Sequence, residues 1–99
     1  MDDSIPKLYE TESVPFERKI IHRRYQLDYV GFYWLIAELD RNKNLAFGYA
    51  NLNDDQNAER GYVSIEELLE NGAEIDRKWK PCTYREAMES IRKERRVIA

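Results

Sequence analysis

The sequence predicts an α+β fold: a small antiparallel or mixed sheet of four to five strands, one short helix and a C-terminal amphipathic helix. Three observations lead to this class. Short runs rich in β-branched and aromatic residues fill residues 19–63, two capping boxes follow them, and the last apolar stripe has helical spacing. The expected order of elements is therefore β-β-β-β-α-β-α, with both helices on one face of the sheet.

The 99 residues are expected to form a single domain, because no repeat, low-complexity stretch or Gly/Ser/Pro-rich linker divides them. Residues 1–17 hold two of the three prolines and predict an extended lead-in that packs Leu8 and Tyr9 onto the domain. The segments after it are the sheet region 19–79, a short helix 65–71 within that region, and the C-terminal helix 84–96.

The strongest strand signal is the segment 30–39, which is apolar on both faces. Such a strand is either central and covered on both faces, or it exposes one face to a partner. Its two expected faces are Val30, Phe32, Trp34 and Ile36 on one side, and Tyr33, Leu35, Ala37 and Leu39 on the other. The other predicted strands are 19–25, 45–52, 61–63 and an edge strand 73–79.

Both helices carry local start signals. Ser64 with Glu67, and Thr83 with Glu86, have the spacing of capping boxes, in which each side chain takes an otherwise unpaired backbone N–H. The first helix is expected to stop near Gly72. The second helix has one apolar stripe suited to docking on a sheet, formed by Tyr84, Ala87, Met88 and Ile91.

Charge is unevenly distributed along the chain, although the formal net charge is only -3. Residues 51–76 carry eight acidic residues against one basic residue, whereas residues 77–96 carry eight basic residues against three acidic ones. Such a dipolar chain could attract partners of opposite sign at its two ends, or its charged segments could simply face water or each other.

Few residues suit catalysis or cofactor binding. One cysteine, Cys82, and one histidine, His22, exclude an internal disulfide and the common zinc frameworks. Cys82 precedes a helix, where the helix dipole could lower the pKa of its thiol. Since the sequence has no phosphate-binding glycine loop, nucleophile elbow or zinc-protease helix, we expect neither an enzyme nor a cofactor.

Two pairs of acidic residues at i, i+2 spacing are the candidates for a metal site. Each pair would lie on one face of a strand, and four carboxylates could gather a divalent cation if the two strands were neighbours. Nothing in their spacing resembles a calcium-binding loop, so no metal is expected. The pairs are Glu38 with Asp40, and Glu74 with Asp76.

Binding to another protein is the leading functional expectation, because an aromatic sheet wider than two short helices leaves an apolar face to bury. The partner could be a second copy of the chain. The candidate anchors, if exposed, are Phe32, Trp34, Phe47 and Tyr49. The alternative is binding of single-stranded nucleic acid, with phosphate contacts from Arg23, Arg24, Arg92, Lys93, Arg95 and Arg96. A sequence pI of about 5.2 speaks against that alternative.

A cytoplasmic protein is expected. No apolar run approaches the roughly 20 residues that a membrane helix needs. The first residues are acidic and are not followed by the apolar segment of a signal peptide.

Several short motifs resemble a family of small prokaryotic proteins of unknown function that are often encoded on plasmids, integrated elements and viruses. The motifs are Pro-Lys-Leu-Tyr-Glu-Thr-Glu at 6–12, Trp34, Glu38 and Asp40, Ala-Phe-Gly-Tyr at 46–49, Gly-Tyr-Val-Ser-Ile-Glu-Glu-Leu at 61–68, Glu74, Asp76, and Trp-Lys-Pro at 79–81. The resemblance implies an intracellular accessory protein of a mobile element or virus. It implies no particular activity or site.

Overall fold

The computed structural model describes the backbone of residues 5–98 and the side chains of residues 5–95. In chain order the elements are strands β1 (Ile20–Ile21), β2 (Arg23–Leu27), β3 (Phe32–Asp40), β4 (Leu45–Leu52) and β5 (Glu59–Ser64), helix α1 (Ile65–Glu70), strands β6 (Glu74–Ile75) and β7 (Cys82–Thr83), and helix α2 (Tyr84–Ile98).

Five strands form the main sheet in the order β5-β4-β3-β2-β6, and β1 pairs with β7 in a small second sheet. Every pairing is antiparallel. The predicted α+β class is therefore confirmed, and of the two predicted sheet types the antiparallel one is present.

Strand β3 is the centre of the sheet and is covered on both faces, as its two-sided apolar pattern allows. Seven consecutive residues, 33–39, are buried. Trp34 and Ile36 pack into one apolar cluster, whereas Tyr33 and Leu35 pack into another on the opposite face. The two clusters are the two halves of the core.

The helices lie on opposite faces of the sheet, so the expectation that both share one face is wrong. Ile65 and Leu68 of α1 join the Trp34 cluster. Met88 and Ile91 of α2 join the cluster around Tyr33. The physical reason is the central strand, because each of its apolar faces needs a separate cover to exclude water.

The predicted first strand, 19–25, is broken at His22 into two strands that belong to different sheets. The His22 amide donates to the carbonyl of Ile36 at 2.8 Å and so stays beside β3. Before it, Ile20 and Ile21 turn away to pair with β7. The indole of Trp79 fastens this small sheet by donating to the Ile21 carbonyl at 3.0 Å.

A β-bulge at Ala37 changes the faces of the last part of β3. Ile36 pairs with Gly48 and Glu38 with Phe47, so Ala37 has no partner on β4. Strict alternation predicts that Leu39 lies on the same face as Tyr33. Because of the bulge, Leu39 packs instead in the Trp34 cluster on the opposite face. The same shift turns the carboxylate of Glu38 to the α2 side, where Phe47 also lies.

The predicted edge strand 73–79 is only two residues long, although it does form an edge of the sheet. Asp76 ends it, because its carboxylate accepts from the Lys78 amide at 3.0 Å and stabilises a turn. The predicted helices are confirmed with bounds that differ by one or two residues.

Both capping boxes contribute to the helix starts. The hydroxyl of Ser64 accepts from the Glu67 amide at 3.2 Å. The second box is reciprocal: the Thr83 hydroxyl accepts from the Glu86 amide at 3.1 Å, and the Glu86 carboxylate accepts from the Thr83 amide at 2.9 Å.

The described part of the lead-in is a series of turns rather than an extended segment. Its buried anchors are Ile5 and Phe16, which pack on opposite faces of the sheet, whereas Tyr9 is 62% exposed. Between them the chain passes the edge of β3, where the Leu39 amide donates to the Pro6 carbonyl at 2.9 Å. Residues 1–4 of the predicted lead-in lie outside the described residues.

None of the described helices is both long enough and apolar enough to cross a lipid bilayer.

Gly48 provides a test of the packing next to the bulge. A Cβ atom at this position would lie 1.9 Å from the Leu35 carbonyl oxygen, so the two strands would have to separate. We expect Gly48→Ala to lower the free energy of unfolding by at least about 2 kcal/mol in urea denaturation.

Gly61 is the matched control for this substitution, since it lies on the neighbouring strand and a Cβ there meets nothing within 4 Å. Gly61→Ala should change the free energy of unfolding by no more than about 0.5 kcal/mol. Equal effects of the two substitutions would show that backbone approach does not limit position 48.

Candidate binding surfaces

The four aromatic residues predicted as anchors do not form one face. Phe32 and Trp34 pack on the α1 side of the sheet, and Phe47 and Tyr49 on the α2 side. Trp34 and Tyr49 are each only 8% exposed, so they cannot anchor a partner. Phe32 and Phe47 are half-buried at the margins of their clusters.

Phe32 belongs to an apolar row that the rest of the chain leaves partly uncovered. Leu27, Phe32 and Leu52 are direct cross-strand partners on β2, β3 and β4, so their side chains share the α1 face. Leu27 and Phe32 are half-buried, and Leu52 is 55% exposed. These three residues are called the Phe32 row below.

The row is exposed because α1 is too short to cover β3. A six-residue helix is about 9 Å long, whereas a nine-residue strand spans about 30 Å. The amide of Ile65, at the start of α1, donates to the Asn44 carbonyl at 3.0 Å. The helix thus begins beside the β3–β4 turn, at the opposite end of these strands from Phe32.

The six basic residues predicted for nucleic-acid binding do not form one patch either. Arg23 and Arg24 lie on opposite faces of β2, because neighbouring residues of a strand alternate. Arg24 is 8% exposed, and its guanidinium lies 3.2 Å from the Glu94 carboxylate and 3.9 Å from that of Asp76. Arg24 therefore belongs to an internal ion-pair network, and its guanidinium cannot reach a phosphate.

Arg95 is also occupied within the protein, whereas its neighbours on α2 are free to contact a ligand. It donates to the Gly31 carbonyl at 2.9 Å, and its guanidinium lies 5.1 Å from the centroid of the Tyr33 ring. Arg92 and Lys93 are exposed. The side chain of Arg96 lies outside the described residues.

Arg92 lines a cleft of about 580 Å³ between α2 and β5, together with two arginines that the sequence analysis did not select, Arg60 and Arg85. Within the described part of the chain, no carboxylate oxygen lies within 4.0 Å of these three guanidinium groups. Two carboxylates, Glu17 and Glu89, line the same cleft.

One sequence signal was present for Arg60, the one basic residue of the acidic segment 51–76. Its side chain stacks on the core, with the guanidinium carbon 4.4 Å from the centroid of Phe16 and 5.9 Å from that of Tyr84. Cation–π contacts of this kind hold the guanidinium against the core, while the exposed Arg60 side chain also lines the cleft.

A buried ion pair lies at the other end of the α2 face. Glu38 is 3% exposed and Lys19 is 6% exposed, and their charged atoms are 3.9 Å apart. The Glu38 carboxylate accepts from the amides of Tyr9 (2.8 Å) and Thr11 (3.0 Å) and from the Thr11 hydroxyl. The Lys19 ammonium donates to the hydroxyl and carbonyl of Thr11. The pair therefore fastens the N-terminal turns to the sheet.

Tyr9 and Tyr62 form the mouth of a small cavity, of about 190 Å³, above this ion pair. Their rings are 6.3 Å apart, and both side chains are more than half exposed. The neighbouring Tyr9 hydroxyl group is the main cause that raises the pKa of Tyr62. Several residues here, Tyr9, Thr11, Glu38 and Tyr62 among them, come from the motifs that carry the family resemblance.

Aromatic rings connect this cavity with the arginine cleft. Consecutive centroids are 4.8 to 6.3 Å apart, within the range of favourable ring contacts. The rings follow in the order Tyr9, Tyr62, Phe47, Phe16, Tyr84, Tyr49 and Tyr33.

Cys82 and the two acidic pairs are the residues that the sequence offered for a reactive thiol and for metal binding. Burial raises the pKa of the half-buried Cys82 thiol, and Glu86 raises it further, which is opposite to the lowering that a helix dipole could cause. The acidic pairs lie on β3 and at β6, which β2 separates. Among the described residues, no group of three His, Cys, Asp or Glu side chains could hold a metal ion.

No protein-family model matches the chain, and neither curated proteins nor solved structures show a significant similarity to it. The family resemblance of the motifs therefore stays a prediction, and the binding surfaces are inferred from the chain itself.

The substitution Glu38→Gln tests how much the buried ion pair stabilises the protein. The amide places a donor where the carboxylate accepts hydrogen bonds, and it leaves the Lys19 ammonium without its counter-charge. We expect a loss of about 3 kcal/mol in the free energy of unfolding. We also expect faster hydrogen exchange at the amides of Tyr9 and Thr11. Glu17→Gln, at an exposed carboxylate, is the control and should change neither quantity.

The ionisation of two partly buried tyrosines should lower the free energy of unfolding at high pH. Burial, reinforced by Tyr49, raises the pKa of Tyr84 to about 12, and burial also raises the pKa of Tyr33. In the unfolded chain a tyrosine has a pKa of about 10. Below that pH the neutral hydroxyl groups make their full contribution to the free energy of unfolding, and this contribution is lost as pH rises through the pKa values of the folded protein. Urea denaturation should thus show stability falling above pH 10, and less steeply in Tyr84→Phe. An equal slope in that variant would contradict the assignment.

Proposed function

We propose that this protein is a non-enzymatic accessory protein, of a mobile element or a virus, that acts in the cytoplasm by binding another protein. The Phe32 row is the observation that carries the proposal. It presents three aligned apolar side chains on a rigid sheet, at the end of a face that α1 leaves uncovered. The mobile-element or viral setting rests on the resemblance of the motifs.

Physical chemistry favours this surface over one built on the other predicted anchors, Trp34, Phe47 and Tyr49. Burial of an exposed leucine contributes about 1.5–3 kcal/mol, and rigid strands lose little entropy when a partner binds. Phe32 itself is supported from behind by Trp34, with the two rings edge-to-face at 6.3 Å. Tyr29, in the turn that joins Leu27 to Phe32, is 84% exposed and can add aromatic contact area.

Leu52→Glu is the variant that tests the proposal. Because Leu52 is 55% exposed, the charge should leave the free energy of unfolding within about 1 kcal/mol of the parent value. A glutamate in an apolar interface should weaken binding at least tenfold, since it loses the burial of leucine and desolvates a charge. Ile20→Glu is the control, at an exposed apolar residue of the small sheet.

The measurement has two parts. Light scattering over a range of concentrations determines whether the parent forms a dimer that Leu52→Glu dissociates and Ile20→Glu does not. If the parent is monomeric, affinity capture from source-cell lysate, quantified by mass spectrometry, compares the same three proteins. A partner, or a second copy, that Leu52→Glu loses and Ile20→Glu keeps supports the proposal. Equal behaviour of the two variants contradicts it.

A further inference from the structure

We propose that the cleft between α2 and β5 is a binding site for single-stranded nucleic acid, with Arg60, Arg85 and Arg92 as its phosphate contacts. The site is independent of the Phe32 row, because the two surfaces lie on opposite faces of the sheet. It also differs from the set of basic residues that the sequence suggested, of which it retains Arg92.

The cleft carries positive charge that suits it to phosphate groups. The cleft brings three exposed guanidinium groups together, and no carboxylate among the described side chains forms an ion pair with any of them. Arginine is suited to phosphate because its planar fork can donate two parallel hydrogen bonds to phosphate oxygens. Elsewhere on α2, Arg95 is held by the Gly31 carbonyl, and the exposed Lys93 does not line the cleft.

The spacing of the arginines favours a chain of phosphates over a single phosphate group. Arg85 and Arg92 are seven residues apart on α2, which separates them by about 10 Å along the helix axis. Arg60 approaches from β5, across the cleft. A flexible strand can place successive phosphates along such a wall, whereas one phosphate meets only part of it.

The Arg60 guanidinium also provides a surface on which an unpaired base can stack. The guanidinium carbon of Arg60 lies 4.4 Å from the centroid of the Phe16 ring, and the exposed Arg60 side chain lines the cleft. Unpaired bases stack on guanidinium planes that aromatic rings support, and such stacking tolerates any base sequence. Duplex nucleic acid has its bases covered, so it cannot use this plane.

Glu17 and Glu89 reduce the net positive charge of the cleft, and their removal gives a further test of the site. They repel phosphate, so the site should hold few nucleotides with modest affinity rather than a long polyanion. Removal of Glu89 should strengthen binding, a change of sign that simple loss of structure cannot produce.

The test is fluorescence anisotropy with a labelled oligothymidylate, titrated with the whole protein from about 50 mM salt upward. Three phosphate contacts predict a slope of about -2 in the logarithm of affinity against the logarithm of salt concentration. Arg85→Ala and Arg92→Ala, at exposed residues, should each weaken binding about tenfold and reduce the slope by about 0.7. Glu89→Gln should strengthen binding about two- to fivefold.

Arg77→Ala is the matched control, because it removes the same charge from an exposed turn outside the cleft. Arg60→Lys isolates stacking: it keeps the charge, and it should weaken oligonucleotide binding while leaving the salt slope unchanged. Leu52→Glu should bind the oligonucleotide normally.

Three results would overturn the proposal. They are absence of binding at about 50 mM salt, an equal loss in Arg77→Ala and Arg92→Ala, and displacement of the oligonucleotide by a phosphoserine peptide at the same phosphate concentration. The last result would assign the cleft to a phosphorylated protein instead. Equal binding of a duplex of the same length would also contradict the role of stacked bases.

Discussion

A strand whose side chains are buried on both faces cannot lie against water, and β3 imposes this condition on the rest of the chain. One face is covered by α1 and Ile5, and the other by α2 and the turn around Phe16. Because the N-terminal segment contributes to both covers, it must pass the edge of β3, where Glu38 fastens it. The exposed Phe32 row is the part of the first face that this arrangement leaves open.

Local patterns were sufficient to predict much of the fold. The capping boxes at Ser64 and Thr83, the stripe of α2 and the two apolar faces of β3 depend on residues a few positions apart, so the sequence displays them directly. The break at His22 and the bulge at Ala37 depend on hydrogen bonds to other strands. For the same reason, the sequence could not show that the helices cover opposite faces.

The binding surfaces were less predictable, since exposure is a property of the assembled fold. Phe32 and Trp34 have the same character in the sequence, but the short α1 leaves the first at a margin and the core encloses the second. Likewise, Arg24 and Arg92 both belong to basic clusters of the sequence. Arg24, however, forms ion pairs with Glu94 and Asp76. The arginine cleft unites β5 with α2, segments whose contact no local pattern reveals.

The bulge also confines a change of strand face to one end of β3. An extra residue in a strand usually reverses all the positions that follow it, which would expose an apolar face and bury a polar one. At Ala37 the reversal affects only the last three residues of β3, and it turns a carboxylate inward to hold the N-terminal turns. A single unpaired residue thus converts the end of an apolar strand into a polar anchor for the N-terminal turns, while the rest of the strand keeps its regular pairing.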